Sequence, residues 1–307
     1  MTHGDAPVQT RSRVMSTAVQ HTATGPADAI TMPPEPDSRT WSRAFGDLAA
    51  GWHQRRLWGH LGLQDVKQGY RRSVLGPLWV TISMGMTAVA LGILYSALFG
   101  MELHDFLPYV AVGLIIWQVI AGCVNQGAEV FIKNEGLIKH LPSPISVHVF
   151  RLVWHQLLLF AHNIAIYVIL IAVFWRPLGV EVLLAVPGLA LLVFNGIWFA
   201  LLIGIFATRF RDIPPLTASI VQLLFFMTPI VWPYEQYANH PDPDIAARAR
   251  LAELNPFMHF VQIMRQPMLG QPVELRHWVI ALAISVVGWT LALLVLRNYR
   301  ARVSYWV

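Results

Sequence analysis

Three histidines repeat every seven residues, at His148, His155 and His162, and imidazole is a common metal ligand. On a helix, this spacing puts neighbouring rings about 10 Å apart along the axis, whereas zinc requires its nitrogen ligands at about 2 Å. One helix therefore cannot supply a zinc site from these residues. With Asn163 beside them, the stripe predicts either a polar seam in helix packing or the lining of an aqueous path. The candidate path-lining residues are His155, His162 and Asn163.

The lysines exclude one route to ATP hydrolysis. Lys67 is followed by Gln, Lys133 by Asn and Lys139 by His, whereas a P-loop requires Gly-Lys followed by Ser or Thr to hold phosphates and Mg²⁺. The metalloprotease motif H-E-x-x-H and the hydrolase motif G-x-S-x-G do not occur either. The sequence therefore predicts no catalytic residue, no metal and no cofactor in this chain.

The positions of the carboxylates bear on the source of energy. An ion-coupled carrier keeps ionisable groups in mid-membrane, where they are costly and serve function. The carboxylates near the long apolar runs of this chain instead lie at the ends of those runs: Glu102, Asp105, Glu129, Glu135, Glu181 and Asp212. If transport is active, this pattern favours energy from a separate subunit over a proton or sodium gradient.

The elements that must position these residues are apolar helices. The chain is 55% hydrophobic and 13% charged, while a soluble domain averages about 25% charged residues. Apolar runs of this length predict an all-α polytopic membrane protein. The six predicted spans are about 75–99, 107–126, 147–175, 182–207, 213–231 and 277–296.

The N-terminal part divides into two predicted segments before the transmembrane domain of 73–307. Residues 1–40 are rich in Pro, Thr, Ala and Ser without hydrophobic periodicity, which predicts a disordered cytoplasmic tail. Residues 41–72 place tryptophans among arginines, which is typical of an amphipathic helix at the lipid headgroups. An ordinary solvated helix remains an alternative for this second segment.

Charge asymmetry predicts the orientation. Seventeen of the 22 Lys and Arg residues fall in the N-terminal region, the second and fourth connections and the C-terminal tail, against five on the other side. By the positive-inside rule, both termini are cytoplasmic. The same rule accounts for the net charge of +5, so we do not expect a nucleic-acid partner.

The connection at 232–276 is too long for a turn. Its apolar segment NPFMHFVQIMRQPMLG (255–270) has 16 residues and includes Arg265 and Pro267, whereas a complete crossing needs about 20 residues. We therefore expect a re-entrant helix at the outer face. Irregular backbone at that depth is tolerated where it is packed in protein or lines a cavity, which suggests a gate.

Two ladders of small residues at intervals of four predict close helix packing. The first ladder comprises Gly92, Ser96 and Gly100, and the second comprises Gly196, Ala200 and Gly204. Such ladders occur inside single bundles and at dimer contacts, so they leave the partner helix open.

Four segments, taken together, resemble one family. They are LQDVKQGYRRSVLGPLW (63–79), KNEGLIKHLPSP (133–144), RFRDIPPLTASIVQLLFFMTPIVWP (209–233) and LNPFMHFVQIMRQPMLG (254–270). In this order and spacing they resemble the membrane subunit of ABC-2-type polysaccharide exporters, which move O-antigen, teichoic acid or capsule. The resemblance covers about 57–307. Two features depart from the family pattern: His140 replaces a common basic residue, and the N-terminal extension is long.

The resemblance implies a homodimeric permease with six spans per chain and two copies of a separate ATP-binding subunit, which holds ATP and Mg²⁺. It also implies an amphipathic interface helix at 53–72 and two short gate helices after the fifth span. The interface-helix residues are then Lys67, Tyr70, Arg71 and Arg72. The candidate gate residues are Pro229, Trp232, Asn255 and Pro256.

The resemblance further identifies EVFIKNEGLIKHL (129–141) as the cytoplasmic coupling helix that contacts the ATPase. Its apolar residues would fill a groove on the ATPase, while Asn134, Glu135 and Lys139 would fix the register. The expected coupling residues are Phe131, Ile132, Asn134, Glu135, Gly136, Leu137, Ile138 and Lys139. A solvated loop would explain the charges of this stretch but not the run Asn-Glu-Gly-Leu-Ile beside two prolines.

The expected function is therefore export of a lipid-linked polysaccharide, O-antigen-like or galactan, from the cytoplasmic to the outer face of the plasma membrane. One alternative is an ABC-2 exporter of a small molecule, drug or lipid. A membrane-embedded enzyme such as a glycosyltransferase is a second alternative, although the spans offer no converging carboxylates. A structural membrane partner is a third, and the coupling motif argues against it.

Overall fold

The computed structural model describes residues 39–69, 75–76, 78–140, 143–175 and 178–307, and the regular elements in these ranges are helices. The predicted tail lies outside the described residues except for Arg39 and Thr40. Three predicted interface residues, Tyr70, Arg71 and Arg72, also lie outside them. The predicted all-α class is confirmed for the described part of the chain.

Five helices are long and apolar enough to cross a membrane. They are α3 (Leu78–Phe99), α4 (Leu103–Lys133), α6 (Ser146–Val173), α7 (Ala185–Arg209) and α12 (Leu275–Trp306). The shorter helices are α1 (Trp41–His53), α2 (Arg55–Gly69), α5 (Glu135–His140), α8 (Ile213–Met227), α9 (Tyr234–Ala238), α10 (Pro243–Arg250) and α11 (Pro256–Met268).

The fifth predicted span, 213–231, corresponds to a helix that is shorter than the bilayer is thick. Helix α8 has 15 residues, or about 22 Å, against a hydrocarbon thickness of about 30 Å. It ends before Thr228 and Pro229, whose ring removes a backbone donor and disfavours a further turn. The sequence-based boundary at residue 231 was therefore too late, and a sixth crossing stays a prediction.

Helix α4 is the centre of the bundle. It contacts α3, α6, α7, α8 and α11, and its apolar residues run around the whole helix, which is the pattern of a fully surrounded helix. Phe106, Ile115, Ile116 and Phe131 are all completely buried along its length. A continuous helix of 31 residues therefore joins the two ends of the bundle.

Small residues bring α7 against α4. A Cβ atom added at Gly204 would lie 2.9 Å from the carbonyl oxygen of Gly127, and one added at Gly127 would lie 2.9 Å from the Cα of Ala200. The ladder Gly196, Ala200 and Gly204 thus packs within the bundle. The first ladder does the same at Gly92, which lies against Leu107 of α4.

The described residues 41–69 form two helices, α1 and α2, and α2 (Arg55–Gly69) corresponds to the interface helix expected at 53–72. The chain breaks at Gln54, whose backbone N–H turns back to carbonyls of the last turn of α1. Helix α2 packs on α6, and α1 packs on α6 and α12. Because α5 also contacts α12, these short helices share one end of the bundle with the C-terminal turns of α7 and α12. We call it the basic end.

Helix α11 lies inside the opposite end of the bundle, which we call the α11 end. It contacts α4, α7 and α12, and every residue from Met258 to Met268 is buried. The predicted re-entrant segment is therefore enclosed by protein on all sides of the helix and does not lie along a surface.

Replacing Gly204 by Ala tests the close α4–α7 packing. The added methyl group would press on a backbone oxygen that cannot move aside, so we expect destabilisation of about 1–3 kcal/mol and a lower unfolding temperature in detergent. The control is Gly46→Ala in α1, where an added Cβ meets nothing within 4 Å. The control should be neutral or slightly stabilising, because alanine favours helix. Equal melting of the two variants would contradict the packing.

Candidate coupling and gate sites

Arg151, in the second turn of α6, joins three elements at the basic end. Its guanidinium donates to both oxygens of Asp65 on α2, with Nε–Oδ2 at 2.6 Å and Nη2–Oδ1 at 2.5 Å. In a third contact, Nη1 of Arg151 donates to the side-chain oxygen of Asn134 at 3.3 Å. A planar guanidinium fits a carboxylate in this two-pronged way, so Arg151 fixes α2 relative to α6.

Asn134 marks the break between α4 and α5. Its side-chain nitrogen donates to the carbonyl of Val130 at 2.7 Å, which satisfies an end of α4, while its oxygen receives Arg151. The C-terminus of α4 and the start of α5 are therefore tied to α6 and, through Arg151, to α2. We call Asp65, Asn134 and Arg151 the hub.

A second carboxylate, Asp47 of α1, holds the N-terminus of α6. It accepts the backbone N–H groups of Ile145 at 3.3 Å and Ser146 at 3.1 Å, which are free donors at a helix start. Arg300 of α12 pairs with the same carboxylate at 3.1 Å. Asp47 is only 3% exposed, so its charge is neutralised inside the contact between α1, α6 and α12.

Helix α5 presents a mixed surface. Leu137 is 38% exposed, while Ile138 packs against the bundle core. Glu135 and Lys139 form an exposed ion pair at 2.6 Å, and the hydrogen bond and charge of Lys139 lower the pKa of Glu135 below its ordinary value. Helix α5 therefore offers an apolar side chain beside a fixed charge pair.

The structure corrects part of the predicted coupling segment. Phe131 belongs to α4 and is completely buried, with its ring beside Gly204 of α7, so it cannot fill a groove on a partner. Ile132 also lies in α4 and is partly buried. Asn134 is engaged inside the hub. Among the predicted coupling residues, the exposed ones are confined to α5, namely Gly136, Leu137 and Lys139. Helix α4 extends to Lys133, one turn beyond residue 129, where the predicted coupling segment begins.

The three candidate path-lining residues have different neighbours. Asn163 is fully buried and donates to Gln118 of α4 at 2.5 Å, so it belongs to helix packing and its prediction as a path-lining residue is corrected. The backbone carbonyl of His162 accepts the hydroxyl of Thr81 on α3. His155 lines a cavity of about 250 Å³ with Asp65 and the other hub residues, so path lining remains a prediction for His155 and His162 only.

At the α11 end, Tyr109 and Arg265 hold the chain where α8 stops. The single O–H of Tyr109 is shared between the carbonyl oxygens of Pro229 at 3.0 Å and Trp232 at 3.1 Å. Arg265 donates to the same Pro229 carbonyl at 2.6 Å and to Gln262 at 3.0 Å. Its guanidinium carbon lies 3.8 Å from the centroid of the Tyr109 ring, a cation–π contact. Although Arg265 is 1% exposed, carbonyl oxygens and a ring face compensate its charge.

The four candidate gate residues lie around the point where α8 ends at Met227, which we call the break after α8. Asn255 caps α11 by accepting the N–H of Phe257 at 3.0 Å, and it donates to the hydroxyl of Thr228 at 2.7 Å. Pro256 is the first residue of α11. Together with the Pro229 and Trp232 carbonyls, these contacts connect the end of α8 to the start of α11. The predicted residues are brought together, while their role as a gate stays a prediction.

An ion-pair network connects the short elements that follow α8 to the start of α12. Arg276, at the start of α12, pairs with Glu253 at 2.9 Å and with Glu274 at 2.5 Å. The Tyr234 hydroxyl of α9 also binds Glu253. Burial and this carboxylate raise the pKa of Tyr234 to about 12, so the phenol stays protonated and donates at neutral pH. The network ties α9 and residues 251–254 to α12.

Both sites fall within a region that known proteins share. The sequence profile described as ABC-2 type transporter matches residues 56–269, more than half of the 307 residues. The chain belongs to the ABC-2 type transporter family. The match contains the hub and the contacts between Tyr109 and Arg265, so the two ends of the bundle are parts of one family domain.

Named relatives of this ABC-2 transporter chain come from two bacteria. The O-antigen export system permease protein RfbA of Myxococcus xanthus is 25% identical over 211 residues, covering 66% of this chain and 79% of the relative. The protein of the same name from Klebsiella pneumoniae is 26% identical over 173 residues, covering 55% of this chain and 66% of the relative. Family membership and the five apolar helices identify a multi-pass membrane transporter subunit, and the family implies an ATP-binding partner.

The sequence of this ABC-2 chain did not identify Asp47, Asp65 or Tyr109 as functional residues. It included Arg151 only among the positive charges that predict the membrane orientation. An aspartate among the arginines of an amphipathic segment was the available signal, because a carboxylate on a helix that packs inward needs a cationic partner. The identity of that partner depends on how α2 lies on α6, which the sequence pattern does not contain.

A double-mutant cycle on Asp65→Ala and Arg151→Ala measures the hub. Both side chains are partly exposed, so we expect a coupling energy on the order of 1 kcal/mol. Hydrogen exchange in 55–69 should rise in each single variant and no further in the double variant. Additive effects of the two changes on exchange and on thermal unfolding would contradict a direct bond.

Replacing Tyr109 by Phe tests the contacts at the break. Loss of the hydroxyl removes the O–H donor that two backbone carbonyls share, and we expect destabilisation of about 1–3 kcal/mol, measured as a lower unfolding temperature in detergent. The control is Tyr95→Phe, because the Tyr95 ring is partly buried but its hydroxyl makes no hydrogen bond among the described residues. Unchanged melting of Tyr109→Phe would show that these bonds do not stabilise the α11 end.

Proposed function

We propose that this chain is the transmembrane subunit of an ATP-driven exporter that moves a lipid-linked polysaccharide, O-antigen-like or galactan, from the cytoplasmic to the outer face of the plasma membrane. ATP and Mg²⁺ belong to a separate ATP-binding subunit, and this chain contributes no catalytic residue, cofactor or metal. The observation that carries the proposal is α5, an exposed helix fixed by the hub to α2, α4 and α6.

Helix α5 suits docking of an ATPase for a mechanical reason. A partner that pushes on Leu137 would push on a helix whose root, Asn134, is bonded to Arg151. Displacement would therefore pass to α2 and α6 together instead of being absorbed by a loop. Coupling between distant sites requires such a connected element with two arrangements.

The proposed orientation has both termini and α5 in the cytoplasm. Its support is the excess of Lys and Arg at the basic end, including Arg151, Arg297 and Arg300, since positive residues are retained on the cytoplasmic side. In this orientation α11 and the break after α8 face the outside, where a gate for an exported polymer would lie.

We propose two copies of this chain per exporter, with two copies of the ATP-binding subunit. Helices α3 and α8 support this arrangement, because each exposes a continuous apolar stripe that the other described residues leave uncovered. The stripe on α3 includes Ile82, Met86, Val89 and Ile93, and the stripe on α8 includes Leu216, Ile220 and Leu223. Lipid covers whatever part of these stripes a second copy does not.

The cargo is inferred from the relatives and from the α11 end. Both named relatives are O-antigen export permeases. A cavity of about 770 Å³ at the α11 end is lined mainly by polar and aromatic side chains, among them Tyr109, Gln236, Gln262 and Gln271. Amides and phenols hydrogen-bond sugar hydroxyls, and aromatic faces stack on sugar rings, so the lining favours a polar cargo over a hydrophobic drug. Export of a small molecule, drug or lipid is the alternative.

The experiment is co-purification with the ATP-binding subunit that the family implies. Leu137→Asp places a charge in the proposed contact, and we expect association and polymer-stimulated ATPase activity to fall at least about tenfold, since burying an unpaired charge is costly. Glu135→Ala should add to this loss by freeing Lys139.

The matched control is Leu254→Asp, the same change at a side chain that is 80% exposed at the α11 end. It should leave association intact. Wild-type chain that purifies alone would refute the coupling role, and association without stimulation by a lipid-linked polysaccharide would favour the small-molecule alternative.

A further inference from the structure

The C-terminal turns of α7 and α12 enclose a groove of about 660 Å³ at the basic end. Coupling and gating, as described above, make no use of it. Two arginines and several aromatic rings line it. The lining residues that matter here are Phe206, Arg209, Tyr299, Arg302, Tyr305 and Trp306, and we call this the basic–aromatic groove.

The cations and rings of the groove alternate. The Arg209 guanidinium lies 5.8 Å from the Trp306 ring centroid, and the Arg302 guanidinium lies 5.6 Å from that of Tyr299. The ring centroids of Tyr299 and Trp306 lie 5.7 Å apart. Each arginine is thus placed over a ring by a cation–π contact, which orients the guanidinium without using up its hydrogen-bond donors.

Neither guanidinium group of the groove has an acidic partner in the described part of the chain. No carboxylate of the described residues lines the groove, and neither Arg209 nor Arg302 forms an ion pair with any of them. The neighbouring Arg300 differs, because it pairs with the buried Asp47. The groove therefore keeps two positive charges and their N–H donors available to a ligand, and the ligand that these groups favour is an anion.

The position of the groove identifies the kind of anion. It lies where two membrane-length helices end, at the level of the headgroups, and clusters of arginine with aromatic residues are typical of that level. The apolar part of the lining is open: Phe206 is 39% exposed and Phe210 is 56% exposed. A free phosphate would leave these rings without a contact, whereas a phospholipid would cover them with its glycerol and acyl chains.

We propose that the basic–aromatic groove binds an anionic phospholipid of the leaflet at the basic end. Arg209 and Arg302 bind its phosphate, for which a guanidinium has two matched donors, and the exposed rings contact the apolar part. Basic pockets between transmembrane helices suit such headgroups. This inference goes beyond the proposed export function, because it needs neither the ATP-binding subunit nor the cargo.

The test is native mass spectrometry of the full chain in detergent, titrated with phosphatidylglycerol or phosphatidylcholine. Wild type should bind phosphatidylglycerol more tightly than phosphatidylcholine. In Arg209→Gln with Arg302→Gln, the affinity for phosphatidylglycerol should fall on the order of tenfold, and that for phosphatidylcholine should not change. If the double variant folds poorly, Arg302→Gln alone should show a smaller loss in the same direction.

Two further variants separate a built site from general attraction. Arg55→Gln with Arg56→Gln removes the same charge from two exposed arginines of α2 and should keep wild-type affinity. Arg209→Lys with Arg302→Lys keeps the charge and should retain more phosphatidylglycerol than the glutamine pair, because lysine still binds phosphate as a point charge. Equal losses in the α2 and groove variants, or no preference for phosphatidylglycerol in wild type, would overturn the proposal.

A third titration, with decaprenyl phosphate, distinguishes a membrane phospholipid from a lipid carrier of the cargo. If decaprenyl phosphate binds through Arg209 and Arg302 while phosphatidylglycerol shows no preference for the groove, the phospholipid proposal is overturned. Preferential binding of phosphatidylglycerol, lost in the groove variant, supports the proposal even if the exporter function fails its own test.

Discussion

The architecture of the basic end depends on charge pairing by α6. Arg151 binds Asp65 of α2 with two hydrogen bonds and reaches Asn134 at the end of α4, and Asp47 of α1 caps the first turn of α6. Without these carboxylates, the two helices would rest on the bundle mainly through apolar contacts, which are not directional, and α2 would keep the hydrogen bond from the Trp154 indole to the Gly59 carbonyl. The hydrogen bonds set one angle and register, so α2 and the root of α5 form one unit.

Helix α4 connects that unit to the break after α8. Its 31 residues span about 46 Å, with Tyr109 near one end and the hub residue Asn134 at the other. A buried continuous helix transmits displacement with little bending, since the packed side chains around it leave no room to rearrange independently. In the proposed exporter, motion at α5 would therefore reach the backbone that Tyr109 and Arg265 hold in place.

Much of this arrangement follows from the pattern of apolar residues. Five spans and the 16-residue re-entrant segment are predicted by length alone, because a bilayer sets the length of a crossing helix. The burial of Phe131 was not predicted, because the family resemblance assigned it to the coupling segment 129–141. It lies instead in the last turns of α4, where Glu129 and Lys133 form an ion pair. The role of Asn163 was ambiguous, because a polar side chain on an apolar helix can hydrogen-bond either to a buried amide or to water. The position of Gln118 shows that Asn163 bonds to a buried amide.

The long-range pairs escaped prediction for a different reason. Asp65 and Arg151 are 86 residues apart, and Tyr109 and Pro229 are 120 residues apart, so local periodicity carries no information about them. The break at Gln54 between α1 and α2 also depends on tertiary contacts, since it allows α1 to lie against α6 and α12 while α2 follows α6.

The central claim is that α2 and α5 move as one body when the partner binds ATP. Spin labels at Gln68→Cys on α2 and Gly136→Cys on α5, in a chain with Cys123→Ala and diluted by unlabelled copies, report their separation in the assembled complex. Both positions are exposed, and an added Cβ at Gly136 meets nothing within 4 Å. The account predicts the same distance distribution in the nucleotide-free and ATP-bound complexes, while the distance between the α5 helices of the two copies, measured in undiluted complexes labelled at Gly136→Cys alone, changes. A shift of the α2–α5 distribution on ATP binding would contradict it.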